Sequence, residues 1–273
     1  MTDALRDILL SCGAASAGAV PLSALRPHMP AHKLARAERE LPGAVTLLCT
    51  VFPYLRENVR GNVSLYSRSE DYHEVVGRRL AQAESALRRV YPQNRFKIYI
   101  DASPYPEVLA AAAAGLGVIG RNGLLITPRY GSFVFIGTIA ADLAVEYDLR
   151  EPESCPGCGE CVRRCPGGAI GAEGVAREKC VSHISQKKGE LSDAERQVLK
   201  AAGTVWGCDI CQLVCPLNRG CERSPLADFE PLLSELERMP AEEILRRYGS
   251  CAFLWKGAAP LVRNLDILED AAP

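Results

Sequence analysis

Two short stretches of the sequence hold cysteines at spacings that suit iron–sulfur clusters. Residues 155–166 read CPGCGECVRRCP and residues 207–218 read GCDICQLVCPLN, so a Cys-Pro pair ends each cysteine run. The first stretch reproduces the C-x2-C-x2-C-x3-C-P pattern, in which the fourth cysteine ligates the other cluster of a two-cluster ferredoxin. The sequence therefore predicts two [4Fe–4S] clusters.

The same crossing rule sorts the thiolates into two ligand sets. One cube receives Cys155, Cys158, Cys161 and Cys215, and the other receives Cys165, Cys208 and Cys211 and needs one more ligand. Cys180 and Cys221 are the candidates, and Cys180 is preferred because Cys221 closely follows an assigned cysteine in a glycine-flanked, arginine-rich segment. Zinc is the alternative, since C-x2-C pairs also build zinc ribbons, but the repeated Cys-Pro ending favours clusters.

The composition narrows the class of protein further. The chain has 12 cysteines in 273 residues, and its first residues lack the basic and apolar stretches of a secretion signal. Cysteines kept in a reducing compartment are typical of metal ligands, so we expect a cytoplasmic protein. No apolar run approaches the roughly 20 residues that span a bilayer. A net charge of -1 excludes a generally basic, nucleic-acid-coating surface.

The part of the chain before the clusters is expected to contain the site that accepts their electrons. Its sequence has both strand and helix patterns, as in an α/β domain. Apolar or alternating runs at 43–54, 95–101 and 131–145 predict strands, and helical spacing of apolar residues predicts a helix over 69–91. After the clusters, residues 227–250 predict two short helices divided by Pro240. Strands and helices of this kind would position the acceptor site.

A glycine-rich stretch, GLGVIGRNG at 115–123, raises the alternative of a dinucleotide-binding fold. Its glycines follow the predicted end of a helix, whereas the dinucleotide motif opens a helix directly after a strand. The context therefore excludes a Rossmann fold.

From about Ser64 to Asn218 the sequence resembles the epoxyqueuosine reductases. The shared segments are SLYSRSEDYHEVV, DASPYPE, AGLGVIGRN, ITPRYGSFVFIG and WGCDICQLVCPLN, together with eight cysteines. The resemblance implies an α+β fold with a nitroreductase-like α/β cobalamin-binding core, over 1–150, followed by a ferredoxin-like two-[4Fe–4S] domain over 151–222. A short helical extension over 223–273 is expected in place of the helical repeats of longer members.

The resemblance also implies a function. It predicts an oxidoreductase that reduces epoxyqueuosine to queuosine in tRNA, using base-off cobalamin, as cob(I)alamin, fed by the two clusters. The expected partners are the tRNA anticodon stem-loop and an external low-potential electron donor, and the expected state is a monomer with no membrane contact. Two alternatives stay open: a cobalamin-dependent paralogue that acts on a small organohalide or epoxide, and a cluster-only electron-transfer protein.

Several residues receive roles from the resemblance. Asp101 aligns with the family's proposed proton donor and is expected in an apolar pocket, where its pKa would rise; the alternative is that it caps the helix beginning near Pro106. The positions expected beside the corrin are Asp101, Leu125, Gly131, Ser132, Ile136 and His183. For His183 a surface position is the alternative. The family's isolated cluster ligand matches Cys180.

The chain departs from the family pattern at three positions: it has Arg121 for lysine, Thr138 for glutamate and Leu217 for tryptophan. A group of basic residues near the clusters could face phosphates, although solvated charge is the commoner meaning of such a run. Its members are Arg163, Arg164, Arg177, Lys179, Lys187 and Lys188.

Overall fold

The computed structural model describes residues 1–56 and 60–269. Their contacts separate two compact units. The α/β unit comprises residues 1–54, 73–120 and 124–155, and the cysteine-rich unit comprises 55–72, 121–123 and everything from 156 onward. The division at 150 and 222 stays a prediction, and residues 57–59 and 270–273 of the predicted domains lie outside the described residues.

The α/β unit is built on a four-stranded antiparallel sheet in the order β1-β2-β6-β3. Its strands are β1 (Ser16–Pro21), β2 (Thr46–Pro53), β3 (Phe96–Ile100) and β6 (Val134–Ala141), and a separate pair is formed by β4 (Val118–Ile119) and β5 (Leu125–Ile126). Every residue of β2 is buried, as the near-continuous apolar run at 43–54 predicts for a central strand. The three strands predicted from the sequence are therefore present.

Helices pack on this sheet. They are α1 (Asp3–Ser11), α2 (Leu22–Leu25), α3 (Ala31–Glu40), α4 (Tyr72–Val90) and α5 (Glu107–Ala113). A Cβ atom at Gly137 of β6 would lie 2.8 Å from Leu80 of α4, and one at Gly18 of β1 would lie 2.6 Å from the Ala114 carbonyl oxygen after α5. Both glycines permit close packing of a helix on a strand. The helix predicted over 69–91 is confirmed with a later start.

The cysteine-rich unit has short helices and one small strand pair. Its elements are α6 (Glu160–Arg164), β7 (Ile170–Gly171), β8 (Gly174–Val175), α7 (Val181–Ser185), α8 (Asp193–Ala202), α9 (Ile210–Leu213), α10 (Ala241–Tyr248) and α11 (Ala259–Glu269). A core that includes Trp206, Phe253 and Leu261 joins the C-terminal helices to the segment before α9. Among the described residues, no helix combines the length and apolarity needed to cross a membrane.

The prediction of two helices over 227–250 is wrong for its first half. Only α10 is α-helical there, and residues 227–229 form a single 3-10 turn. The side chain of Asn62 donates to the Leu236 carbonyl oxygen at 3.0 Å and accepts from the Leu236 amide at 2.8 Å. Because these contacts use the backbone groups that a helix would pair, they hold this segment in a non-helical form.

Asn264 fastens the C-terminal helix α11 to the rest of the cysteine-rich unit. Its fully buried amide donates to the carbonyl oxygens of Ser185 at 2.8 Å and Val205 at 2.7 Å. The neighbouring Arg263 guanidinium donates to the carbonyl oxygen of Lys187 at 2.7 Å. Helix α11 therefore supports the chain segment that directly follows Cys180.

Candidate functional site

Asp101 lies in a tight turn at the end of β3. The register pairs Ile100 with Gly137, so Asp101 leaves the sheet beside Ile136. The Ala102 amide donates to the Ile100 carbonyl oxygen at 2.7 Å, and Asp101 has a φ of 59°. A hydrogen bond between residues i and i+2 around a positive φ marks a rare and strained γ-turn. Strain of this kind often accompanies a functional position.

The surroundings of Asp101 correct the expectation of an apolar pocket. The side chain is 69% exposed, and its Oδ2 lies 3.7 Å from Nε2 of His73. The capping alternative also fails, because α5 has Pro106 at its N-cap and no side-chain cap. The turn thus projects the carboxylate outward, since a residue held at positive φ cannot continue the strand into the sheet.

The structure identifies a buried carboxyl group that the sequence analysis missed. Glu107 lies in the first turn of α5, and its Oε1 is buried with no hydrogen-bond partner among the described residues. Burial, followed by the charge of Asp101, raises the pKa of the Glu107 carboxyl to about 8, against the opposing effects of Thr138 and Lys33. A glutamate six residues after Asp101 was the available signal, but its burial depends on the packing of α5.

Thr138, where the family has glutamate, faces Glu107 from the central strand β6. It is fully buried and pairs across the sheet with Cys49 of β2 and Tyr99 of β3. Its Oγ1 is near enough to lower the pKa of Glu107 but has no partner in hydrogen-bonding geometry within the described part of the chain. The contact between β6 and α5 therefore has a buried polar group on each element, Thr138 on the strand and Glu107 on the helix.

Four further positions predicted beside the corrin lie in the α/β unit. Leu125 is buried in the core cluster under α5, and Ile136 packs partly exposed against that cluster. Gly131 has a φ of 58° and exchanges backbone hydrogen bonds with Thr127, at 3.1 and 2.9 Å, and Ser132 is buried beside it. The register puts Asp101 next to Ile136, so these two positions share one end of the sheet.

The cysteines that precede proline adopt the conformation that proline imposes. Cys165 has φ and ψ of -69° and 114°, and Cys215 has -71° and 123°. Proline excludes the helical conformation from the residue before it, so each short helix ends at or just before its cysteine. Each carbonyl oxygen then accepts from the amide three residues later, at 3.0 Å from Gly168 and 3.1 Å from Asn218.

The four thiols of the predicted second cube lie within electrostatic reach of one another, although they are not arranged around a common point. Burial, with smaller contributions from the nearby thiols of Cys180 and, for Cys211, of Cys165, raises the pKa values of the Cys208 and Cys211 thiols to about 12. The group facing Cys221 is instead Arg223. This arrangement favours Cys180 over Cys221, and it fits a group that must be held by four thiolates.

The other predicted set is divided by the unit boundary. Cys155 belongs to the α/β unit, and Cys158, Cys161 and Cys215 belong to the cysteine-rich unit. Cys158 and Cys161 both lie near the guanidinium of Arg163. No three or more His, Cys, Asp or Glu side chains of residues 1–56 and 60–269 converge on a single metal ion. Both ligand sets stay predictions.

Asp209, between two of the predicted ligands, anchors the second cysteine motif. Its buried carboxylate accepts hydrogen bonds from the Ser64 hydroxyl at 2.7 Å, the Leu65 amide at 2.8 Å and the Gln212 amide group at 3.2 Å. These contacts fix the start of α9 against residues 64–65. The sequence analysis assigned Asp209 no role, because its partners come from a distant part of the chain.

His183 lies on α7 among positive charges of the cysteine-rich unit. Burial lowers its pKa, and Arg177, Lys187 and Lys256 lower it further. The neighbouring Trp255 is 63% exposed, and the Lys256 ammonium lies 4.4 Å from its ring centre. Two members of the predicted basic group carry ion pairs, Arg163 with Glu160 and Lys187 with Glu195, so the positive surface around His183 differs from the one predicted.

Two known sequence families match separate parts of the chain. Residues 35–102 match the family described as epoxyqueuosine reductase QueG, DUF1730, and residues 154–218 match the 4Fe-4S double cluster binding domain. The second match confirms the prediction of two [4Fe–4S] clusters from the cysteine spacing.

Curated relatives carry the same family name. The epoxyqueuosine reductase of Lactococcus garvieae is 33% identical over 221 residues, which cover 78% of this chain and 62% of the relative. That of Listeria monocytogenes is 36% identical over 217 residues, covering 77% of this chain and 57% of the relative. The chain thus spans less than two thirds of the length of these relatives.

Solved structures extend the likeness to the fold. An epoxyqueuosine reductase bound to an epoxyqueuosine-modified tRNA-Tyr stem loop matches with a TM-score of 0.82 at 23% identity, over 97% of this chain and 80% of that one. The enzyme of Streptococcus thermophilus matches with a TM-score of 0.81 over the same shares. The predicted α+β fold, with its nitroreductase-like core and cluster domain, is confirmed. The sequence families and the curated relatives agree that this chain belongs to the epoxyqueuosine reductase family.

Proposed function

We propose that this chain is an oxidoreductase that reduces the epoxide of epoxyqueuosine in tRNA to the alkene of queuosine. The observation that carries the proposal is the strained turn that projects Asp101 outward at the end of β3, inside a chain of this family. An exposed acid at a strained turn is suited to meeting an incoming substrate. The finer terms, cytoplasmic location and a monomeric state, stay predictions.

The net reaction sets what the protein must supply. Removing the epoxide oxygen as water breaks two carbon–oxygen bonds and consumes two electrons and two protons. When bound, the clusters would supply low-potential electrons and the cobalamin, in its base-off form, would supply the metal centre that attacks the epoxide. The electrons would enter from an external low-potential donor. Side chains of this chain would relay the protons from solvent to the departing oxygen.

The residues present offer the types of donor and contact that both groups need. We assign one cluster to Cys155, Cys158, Cys161 and Cys215 and the other to Cys165, Cys180, Cys208 and Cys211. We assign the corrin contacts to Asp101, Leu125, Gly131, Ser132, Ile136 and His183. The support for the corrin site is chemical: Ile136 offers partly exposed apolar surface beside an exposed carboxylate, and Gly131 lets the backbone approach closely because it lacks a side chain.

Asp101 would deliver a proton to the departing oxygen. Its carboxyl group can reach a substrate because it is 69% exposed, and the turn fixes the direction in which it points. General acid catalysis by a positioned side chain contributes about 10²–10⁴ in rate. Asn is the appropriate substitution, because it also tolerates positive φ but donates no acidic proton.

Contact with tRNA is supported by the surface around Trp255 in the cysteine-rich unit. The indole Nε1 donates to Gln186 Oε1 at 3.3 Å, so the exposed ring is held in place. Arg177, Lys187 and Lys256 surround the adjacent His183. A fixed aromatic ring among cations suits single-stranded RNA, whose bases stack on rings while its phosphates meet positive charge.

A binding experiment tests this surface. Trp255→Ala should weaken binding of an anticodon stem-loop RNA by about 1–3 kcal/mol, the usual worth of one base stacked on an aromatic ring. Trp255→Phe should retain most of the affinity, and Leu232→Ala, at another exposed apolar residue of the same unit, should leave it unchanged. Equal affinities of the Trp255→Ala and wild-type proteins would exclude the surface.

The activity itself is tested by reconstitution. The protein would be loaded anaerobically with iron, sulfide and cobalamin, incubated with epoxyqueuosine-containing tRNA and a strong reductant, and scored by nucleoside mass spectrometry. Loss of one oxygen from the modified nucleoside is the expected result. If clusters and corrinoid load fully and the epoxide survives, the proposed substrate is wrong and a small organohalide or epoxide is the next to test; failure to bind corrinoid would favour a cluster-only electron carrier.

A further inference from the structure

One loop of the cysteine-rich unit holds a predicted cluster ligand at the surface. Cys158 is exposed, whereas the other seven predicted ligands are half-buried. A Cβ atom at the neighbouring Gly157 would meet no atom of the described residues within 4 Å. The loop is therefore open to an approaching molecule. An electron that enters the protein here has a short path to the cluster assigned to Cys158.

The short helix α6, which follows this loop, carries two arginines beside it. The Arg163 guanidinium donates to the Cys158 carbonyl oxygen at 3.1 Å and forms an ion pair with Glu160, so it is held over the loop. Arg164 lies four residues after Glu160, a spacing that brings both side chains to the same side of the helix. Arg164 is exposed and has no ion pair within the described part of the chain.

A third arginine reaches the same place from the second cysteine motif. Helix α9 packs on α6, and Arg219 follows the turn that begins at Cys215. Arg219 is exposed, and it lies near enough to Glu160 to lower the pKa of that carboxyl, as Arg163 and Arg164 do more strongly. Three positive charges thus surround one carboxylate, which leaves an excess of positive charge beside the loop.

Leu217 adds an exposed apolar side chain between Cys215 and Arg219. It is 41% exposed. The turn that carries it is held in place, because the Asn218 side chain donates to the Gln212 carbonyl oxygen at 2.8 Å and the Asn218 amide donates to the Cys215 carbonyl oxygen at 3.1 Å. An apolar group on a fixed turn can contact a partner without a large loss of conformational entropy.

We propose that these residues form the docking surface for a small acidic protein that carries a low-potential one-electron centre. The arginine face, as we call this surface, consists of Cys158, Arg163, Arg164, Leu217 and Arg219. In each encounter the carrier loses one electron and the cluster assigned to Cys158 gains it, so two encounters supply the two electrons that one epoxide consumes. The inference rests on the proposed function, because that function requires an external donor.

The chemistry of the arginine face favours a protein carrier over RNA. Complementary charge accelerates the encounter with an acidic protein. Electron-transfer complexes bury little surface, commonly less than about 1,200 Å², so a few arginines around one apolar residue suffice. RNA is also acidic, but single strands bind by stacking their bases on aromatic rings. The exposed apolar group here is the aliphatic Leu217, whereas the fixed ring belongs to the surface around Trp255.

The first test measures cluster reduction and needs neither tRNA nor corrinoid. Cluster-loaded protein is mixed anaerobically with an excess of reduced plant-type ferredoxin, an acidic one-electron carrier, and the second-order rate constant is followed by visible absorption. The rate constant should fall as salt is added, because salt screens the attraction between the two proteins. The double variant Arg164→Glu/Arg219→Glu should lower it at least tenfold at low salt and by less at high salt.

Two controls separate docking from damage to the clusters. Arg246→Glu/Arg247→Glu makes the same change of charge at exposed positions of α10 and should keep the wild-type rate constant. Reduced methyl viologen, a small cation, should reduce the clusters of Arg164→Glu/Arg219→Glu at least as fast as those of the wild type. A wild-type rate with ferredoxin in Arg164→Glu/Arg219→Glu, or an equal loss in the α10 variant, would overturn the inference.

The apolar part of the face has its own signature. Leu217→Ala should lower the rate constant with ferredoxin by the same factor at low and high salt, because salt does not screen an apolar contact. Iron content should match that of the wild type in every variant, so that a lost cluster is not mistaken for lost docking.

A second measurement separates the inference from the RNA surface and from the proposed function. If Arg164→Glu/Arg219→Glu weakens binding of an anticodon stem-loop RNA and leaves reduction by ferredoxin unchanged, the face binds RNA and the inference is wrong. If the variants change reduction as expected but the epoxide survives in loaded wild-type enzyme, docking is supported and the proposed substrate fails. If the enzyme removes the epoxide oxygen with a chemical reductant but ferredoxin does not reduce its clusters, the inference alone fails.

Discussion

In the cysteine-rich unit the proposed ligands come mainly from two short runs of sequence, whereas in the α/β unit the groups that affect Glu107 come from four separate elements: the turn after β3, α3, β2 and β6. Cys208 and Cys211 are neighbours because they are three residues apart, and Cys165 and Cys215 share one conformation because proline follows each. Glu107 faces Thr138 only because α5 packs on β6. A substitution in the cysteine-rich unit is therefore expected to affect one cluster, whereas a substitution near Glu107 is expected to affect groups on several elements.

The largest expected effect tests the local character of the cysteine-rich unit. Cys180→Ala should remove one cluster and leave the other, so iron should fall from about eight to about four atoms per chain. Iron and sulfide analysis with visible absorption spectra would measure the loss. Cys221→Ala is the control and should keep all of its iron. Loss of iron in the Cys221 variant with full retention in the Cys180 variant would reverse the ligand assignment.

A smaller effect tests whether the C-terminal helix is part of the same unit. Asn264→Leu leaves the buried carbonyl oxygens of Ser185 and Val205 without their donor, at about 1–3 kcal/mol for each. The free energy of unfolding, from denaturant titration, should fall accordingly. Arg238→Gln, which breaks exposed ion pairs with Asp266 and Glu269, should change it by less than about 1 kcal/mol. If the two variants had equal free energies of unfolding, the hydrogen bonds of Asn264 would contribute little to the stability of this unit.

If Asp101 is the proton donor, its substitution should lower the turnover rate without changing the binding of the clusters or the corrinoid. Asp101→Asn should keep cluster content and corrinoid binding, and should lower turnover at least tenfold, which is about 1.4 kcal/mol or more of activation free energy. Single-turnover assays on loaded enzyme would measure the rate. Unchanged turnover would remove Asp101 from the mechanism and leave its strained turn without an explanation.

A last prediction sharpens the contrast through pH. The folded pKa of Glu107, about 8, lies above its ordinary value of 4.5, so the folded protein binds more protons than the unfolded chain between these values. The contribution of Glu107 to stability is therefore complete below about pH 4.5 and is lost as pH rises through about 8. Glu107→Gln should remove this decline in the unfolding free energy, whereas Glu74→Gln, at an exposed position in the first turn of α4, should retain it. Parallel wild-type and Glu107→Gln curves would show that Glu107 ionises normally.

Much of the secondary structure could be predicted because it depends on local patterns. Buried residues of α4 at Val76, Leu80, Ala83 and Leu87 follow helical spacing, and the fully buried β2 follows an unbroken apolar run. The segment around Leu236 could not be predicted, because Asn62, far away in sequence, occupies its backbone hydrogen-bonding groups. A local preference for helix does not determine the structure where a residue distant in sequence takes the backbone hydrogen bonds that the helix would need.

The sequence by itself determined the cluster chemistry, and its family resemblance led to the prediction that Asp101 is the proton donor. Cysteine spacing within each run of about a dozen residues is enough to predict clusters of this type, although it left Cys180 and Cys221 as alternative ligands. The tertiary structure alone decided that Asp101 is exposed at positive φ and that the buried acid is Glu107. The physical reason is that desolvation and facing charges determine a pKa, and both depend on residues that only packing brings together.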